Sequence, residues 1–415
     1  MHGDVFRPPQ LPQLLSVYVA TGIQLLLMAL LSLVLAALGF FSPAHRGSLL
    51  GGSVVLFLLS GSASGFVAAR FSKLFNEENK VRVTLLTAMV YPGVCAAIFF
   101  GLNILIWAHQ SSGAVPIGTL VHPARPRRVE PHPPPARDAP RAQRAGGGRR
   151  GQFALMVMWF CISVPLVFLG AFLGFRQPAM EVPCRTNPIP REVPAQAWYL
   201  RELPSYLIGG LLPFGAVFVE LFFILSSIWQ ASRAPAPPRP PCPTPRRPRA
   251  APSTPVARIT TARRPKPPPG AARAAPLLLH VWLPDGLPAP APRRARLASE
   301  GDGAGGCGRQ VVFLVFLLTC AEICVVLCYL HLCAEEHRWW WRAFLTGASS
   351  GLYLLCYGGY HYLARTHHAI DVISSIIYFG YLALTCYSCA VCTGAVGFLS
   401  CWVFLRFIYG SVKID

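Results

Sequence analysis

Charge is what this chain of 415 residues has least of. Charged residues make up 13% of it, where a soluble domain carries about 25%. Acidic side chains are the scarcer sign, with 17 Asp and Glu against 37 Lys and Arg. The sequence also contains no P-loop and no HExxH. Those gaps remove the usual signatures of P-loop nucleotide binding and zinc proteases. The chain reads as a non-enzyme that needs no cofactor. No cleavable signal peptide is visible. The first apolar run begins near Leu14 and is too long for a signal h-region, so it reads as an uncleaved span.

Apolar sequence fills the space that charge leaves. Hydrophobic residues make up 53% of the chain and the mean hydropathy is +0.45. A helix needs about 20 apolar residues to cross a hydrocarbon core about 30 Å thick. Seven stretches meet this: 14–41, 49–70, 83–108, 152–175, 206–229, 310–333 and 343–363. An eighth runs from Val372 to Tyr409. It reads either as two tightly joined helices split near Thr393 and Gly394, or as one span with a re-entrant piece. The fold class is therefore all-α: a polytopic transmembrane helix bundle with about eight net crossings.

The formal net charge of +20 resembles a nucleic-acid signal, but its distribution argues against one. Residues 120–151 hold eight Arg against Glu130 and Asp138, and residues 230–309 hold thirteen Arg and Lys266 against Asp285, Glu300 and Asp302. These two inserts also contain 26 of the 40 prolines. Such segments bury too little apolar surface to offset the entropy of ordering. They read as disordered loops or as translated non-coding sequence. Stacking aromatics are nearly absent from them, so a nucleic-acid arm is the weakest reading. The expected organisation is a cytosolic segment 1–13, helices and a loop over 14–120, an insert over 121–151, helices over 152–229, an insert over 230–309, helices over 310–409 and a cytosolic tail 410–415.

Orientation follows from basic residues in the short loops. With the N-terminus cytosolic, that face collects Arg7, Arg70, Lys73, Lys80, Arg82, Arg176, Arg185, Arg191, Arg201, Arg338, Arg342, Arg406 and Lys413. The other face has Arg46 and Arg365. Both inserts fall on that lumenal face.

Several residues are candidates for function. Glu220 and Glu322 lie inside apolar runs, where a charge costs at least about 2.5–3.5 kcal/mol. They read as a relay, a grip on a partner helix, or an interhelical hydrogen bond that fixes packing. Gly61 and Gly65, Gly170 and Gly174, and Gly347 and Gly351 have the four-residue spacing that lets helices approach closely in lipid. Pro92, Pro165 and Pro213 should kink their helices. Trp339, Trp340 and Trp341, flanked by Arg338 and Arg342, read as an interfacial anchor at the headgroups. Cys386, Cys389 and Cys392 have CxxCxxC spacing without acidic or His neighbours, which favours packing over metal. His361, His367 and His368 read as solvated loop residues. Lys413 and Asp415 place one cation beside two carboxylates at the end of the chain, a pattern suited to a receptor-read sorting signal.

Ten blocks carry a family resemblance: HGDVFRPP (2–9), FSPAHRG (41–47), SSGAVPIGTL (111–120), WFCISVPLVFLGAFLGF (159–175), RTNPIPREVPAQAWY (185–199), LPFGAVFVELFFILSSIW (212–229), HLCAEEHRWWWRAFL (331–345), IIYFGYLALT (376–385), TGAVGF (393–398) and IYGSVKID (408–415). Together they resemble the transmembrane 9 superfamily, also called nonaspanins or the endomembrane protein 70 family. The resemblance covers essentially everything outside the inserts. It implies a lumenal domain and a first span ahead of HGDVFRPP. It also implies residence in Golgi and endosomal membranes and a role in localising other membrane proteins, including cargo with Gly-rich spans. The family's C-terminal KxD/E signal, read by the COPI coat, matches Lys413 and Asp415. The resulting expectation is a sorting factor in which a groove between kinked helices grips cargo, with Gly61, Gly65, Glu220 or Glu322 in contact. The alternative is a transporter or channel built on the two intramembrane carboxylates.

Overall fold

The computed structural model describes residues 4–38, 40, 48–108, 157–184, 186–187, 189, 191–233, 302–365 and 372–411. The insert 121–151, most of 230–309, His367, His368, Lys413 and Asp415 lie outside the described residues.

Eight long helices account for almost all of the described chain. They are α1 (Pro12–Ala37), α2 (Ser48–Leu74), α3 (Lys80–Ala108), α4 (Val164–Arg176), α5 (Glu202–Arg233), α6 (Asp302–Cys333), α7 (Trp339–Arg365) and α8 (Val372–Ser411). Helices α5 and α6 run into the expected bounds of the second insert, ending at Arg233 and starting at Asp302. Among the described residues seven helices are long and apolar enough to span a membrane: α1 to α6, with α4 counted together with the turn before it, and α8. Large apolar side chains such as Leu203, Phe223, Val403 and Phe407 face outward. Hydrocarbon, not water, is the solvent that suits such a surface.

Helix α7 is more polar, and its place is fixed by its neighbours. Cys320 Sγ lies 3.6 Å from the Thr393 carbonyl and Cys401 Sγ lies 3.3 Å from the Cys324 carbonyl, so α6 and α8 run parallel. Helix α7 returns between them, antiparallel to α8. Gly351 faces Ala390, Gly358 faces Leu382, and Tyr362 stacks on Tyr378 at 4.7 Å. The same reasoning makes α2 parallel to α4, through Gly170 against Ser62 and Gly174 against Phe66. It makes α5 parallel to α7, through Phe214 on Tyr353 and Phe218 on Tyr357. The helices therefore alternate in direction, and α1 begins at the end where α8 finishes.

The eighth apolar stretch is one helix of 40 residues, about 60 Å long at 1.5 Å per residue. No break occurs at Thr393 and Gly394, because both are packed against α7. Helices α1 to α4 form one group and α5 to α8 another, and α1 and α3 join the groups by packing on α8. Proline affects the three expected helices differently. Pro92 and Pro213 lie inside continuous helices. Ahead of Pro165 the chain takes a π-helical turn, Trp159–Ser163, a common way to absorb a missing backbone donor.

Candidate functional site

The alternation gathers the basic loops at one end of the bundle. Arg70 donates to the Pro178 carbonyl, and Lys73 donates to the carbonyls of Phe175 and Gln177 at 2.6 Å each. Two cations thus satisfy carbonyls at and just beyond the end of α4, where the helix dipole is negative. Arg191 pairs with Glu335 at 2.7 Å, and Gln13 donates to Glu77 at 2.5 Å. At the opposite end the described basic positions are Arg233, Arg309 and Arg365.

The tryptophan run stands at this basic end, but not as a row of headgroup anchors. Trp339 and Trp340 are 1% and 3% exposed. Each of the three indoles donates to a backbone carbonyl of the N-terminal segment: Trp339 to Val5 at 2.8 Å, Trp340 to Arg7 at 2.8 Å and Trp341 to Gln10 at 2.6 Å. The reading as an interfacial anchor is corrected for Trp339 and Trp340, since a buried ring cannot reach headgroups. Trp341 is half-buried. The segment they hold has little regular structure, so its carbonyls need side-chain donors. Phe6 packs edge-on to Trp402 and Tyr409, and Phe71, Phe75 and Phe398 complete the aromatic cluster. Arg7 donates to Asp4 at 2.7 Å and to the Asn187 carbonyl at 2.7 Å. That hydrogen bond holds the Asp4 carboxyl below its ordinary range. Burial pushes His337, in the loop beside it, below the ordinary imidazole range, with the Asp4 charge opposing.

A second network lies next to the first. Arg342 is buried and reaches Glu336 at 3.1 Å, Glu202 at 3.7 Å, the Leu200 carbonyl at 3.1 Å and His331 Nδ1 at 3.4 Å. Arg can only donate, so His331 Nδ1 accepts and Nε2–H donates to Ser205 Oγ at 2.8 Å. The network locks the starts of α5 and α7 to the end of α6. Sequence reading took Arg342 as a flank of the tryptophans and missed the network. The signal was present in the crowding of His331, Glu336 and Arg342 within one short block.

The paired glycines are contact surfaces inside the bundle. A side chain at Gly65 would meet the Val167 carbonyl, and one at Gly170 would meet Ser62. A Cβ at Gly61 would lie 3.3 Å from Val167, and one at Gly174 would lie 2.6 Å from the Phe66 carbonyl. Gly347 and Gly351 do the same for α7 on α8. The expected cargo groove at Gly61 and Gly65 is therefore corrected: α4 already fills that face. Cys386, Cys389 and Cys392 are buried in α8, and among the described residues no group of three His, Cys, Asp or Glu is placed to hold a metal. His361 is a buried helical residue against Tyr357, not a loop histidine. Glu220 is half-buried on α5, and Glu322 is exposed on α6. Ser205 faces His331 and Gly209 faces Leu327, a register that carries Glu220 to the level of Phe316, away from Glu322.

Residues 1–123, 150–233 and 310–370 match the family described as endomembrane protein 70. The chain belongs to that family. The matched segments stop at or near the edges of the two Pro- and Arg-rich stretches. Among curated relatives, Transmembrane 9 superfamily member 9 of Arabidopsis thaliana is 37% identical over 415 residues, which is 100% of this chain and 49% of that protein. Transmembrane 9 superfamily member 2 of Homo sapiens is 34% identical over 100% of this chain and 47% of its own length. Member 4 of Homo sapiens is 34% identical over 100% of this chain and 49% of its own. The chain thus spans about half the length of the curated relatives it matches. No solved structure matches it. Membership fixes the coarse identity: a multi-pass membrane protein of an endomembrane family.

Proposed function

We propose that this chain works as a sorting factor of Golgi and endosomal membranes, helping to place other membrane proteins, including cargo with Gly-rich spans. The role is non-catalytic and needs no cofactor. One observation carries the reading: α8 finishes at the end of the bundle where the basic loops gather. Basic loops favour the cytosolic face. Carried there at a free C-terminus, Lys413 and Asp415 would form an address within reach of the COPI coat. The transporter reading draws less support, because Glu322 points outward and Glu220 sits at another level, so the two do not line one path.

The test uses the full chain, tagged inside the second insert. Lys413→Ala should shift it out of the Golgi and weaken its recovery with COPI. Unchanged localisation and unchanged coat binding would refute the address.

A further inference from the structure

We propose that the outer stripe of α6 is a docking surface for one transmembrane helix of another membrane protein, and that this helix presents a hydrogen-bond donor to Glu322 at mid-depth. The packed face of α6 carries Cys320, Cys324, Leu327 and Cys328, all buried. At 100° per residue, Glu322 stands almost opposite that face. Val311, Val315, Leu318, Val326 and Tyr329 share its side and are exposed. The spanning part of α6 is Val311–Cys333, so the carboxyl lies at its middle. Among the described residues no hydrogen bond or ion pair reaches it.

A carboxyl in that position is costly whether it is ionised or neutral, because lipid tails offer it no partner. The apolar stripe around it runs from Val311 to Tyr329, about 27 Å at 1.5 Å per residue. That length matches the hydrocarbon thickness, so the surface fits a spanning helix laid along it, not a soluble peptide. The occupant's chemistry follows from the carboxyl. It accepts from an amide, hydroxyl or amine, and if protonated it also donates. An Asn or Gln at mid-depth supplies both halves of such a pair. A second copy of this chain would instead set one carboxyl against another, a pair that bonds only when at least one is protonated, whereas an amide serves either form. The sorting role proposed above gives this contact its purpose, but the contact itself does not depend on the tail address.

The full chain, labelled with a donor fluorophore in phosphatidylcholine vesicles, tests the proposal. The probes are Lys-flanked polyleucine helices: one all-Leu, one with Asn at the centre, and one with Asn moved two turns towards an end. The central-Asn helix should associate about threefold to tenfold more strongly than either of the others, the range expected of one interhelical hydrogen bond in lipid. Glu322→Leu should abolish the preference, Glu322→Gln should keep most of it, and Glu220→Gln should leave it unchanged. Leu318→Trp changes the stripe without touching the packed face and should weaken all binding there. Equal binding of the three probes to the unaltered chain overturns the proposal, as does a preference that survives Glu322→Leu. Chain-to-chain energy transfer that collapses in Glu322→Leu would make a second copy the occupant and also overturn it. The vesicles contain neither coat nor Golgi, so failure here is distinguishable from failure of the Lys413 experiment.

Discussion

Single residues decide how the N-terminal segment is held. Trp339→Phe keeps most of the ring but deletes the donor to the Val5 carbonyl. A buried carbonyl left without a partner costs about 1–3 kcal/mol, so thermal unfolding in detergent should start earlier by that equivalent. Trp341→Phe, at a half-buried site, should cost less. Acid should loosen the same segment. The folded-state value of His337 is depressed, so the folded state binds its proton less readily than the unfolded chain. Stability is therefore complete above the ordinary imidazole value of 6.5 and falls as pH drops through it. The depressed Asp4 carboxyl contributes above 3.8 and is lost only at lower pH. Protection factors of residues 4–10, taken relative to the intrinsic exchange rate at each pH, should be lower at pH 5 than at pH 7, and His337→Gln should flatten the difference. Little of this was legible in the sequence. A tryptophan run between arginines has the same composition whether it meets headgroups or a distant backbone. The deciding partner of Trp339 lies 334 residues away.

Contacts between helices were easier to foresee than their partners. Spacing alone marked Gly61, Gly65, Gly170 and Gly174 as points of close approach. It did not say that α2 and α4 would use them on each other, which closes the notch to any outside helix. Substituting Leu at Gly65 or Gly170 forces a side chain into backbone and should abolish monodisperse recovery in detergent. Leu at Gly93 or Gly101, where nothing lies within 4 Å, should be tolerated, and size-exclusion profiles of the four variants would separate these outcomes. Span lengths also read well, because apolar length is a local property. The direction of Glu322 did not, since the residues around it are apolar on every side of α6. The uncertain break near Gly394 resolved into one continuous helix because α7 packs on both Thr393 and Gly394. That support cannot be seen in either segment alone.

Across the whole molecule, alternation of the helices puts residues 4–11 and the end of α8 on one side, and the Gln10 and Ser411 positions should share a fate. Single cysteines there, in a background lacking all 14 native cysteines, should be modified by the same impermeant reagent from the same face of sealed vesicles. Modification from opposite faces would break the parity of crossings. The overall class was legible from composition, since so little charge over so much apolar length leaves few alternatives to a membrane bundle.

The position of α8 also sets an order of assembly. The glycine notch of α1 at Gly22 is filled by Val391 and Ala395, residues that are made only after α1 to α7. Until α8 emerges, α1 and α3 wait in the bilayer with one flank unsealed, and the two groups of helices lack the seam that α8 gives them. Sealing of the bundle therefore waits for the synthesis of α8, and a nascent chain cut short before residue 391 should be handed to quality control as two half-bundles.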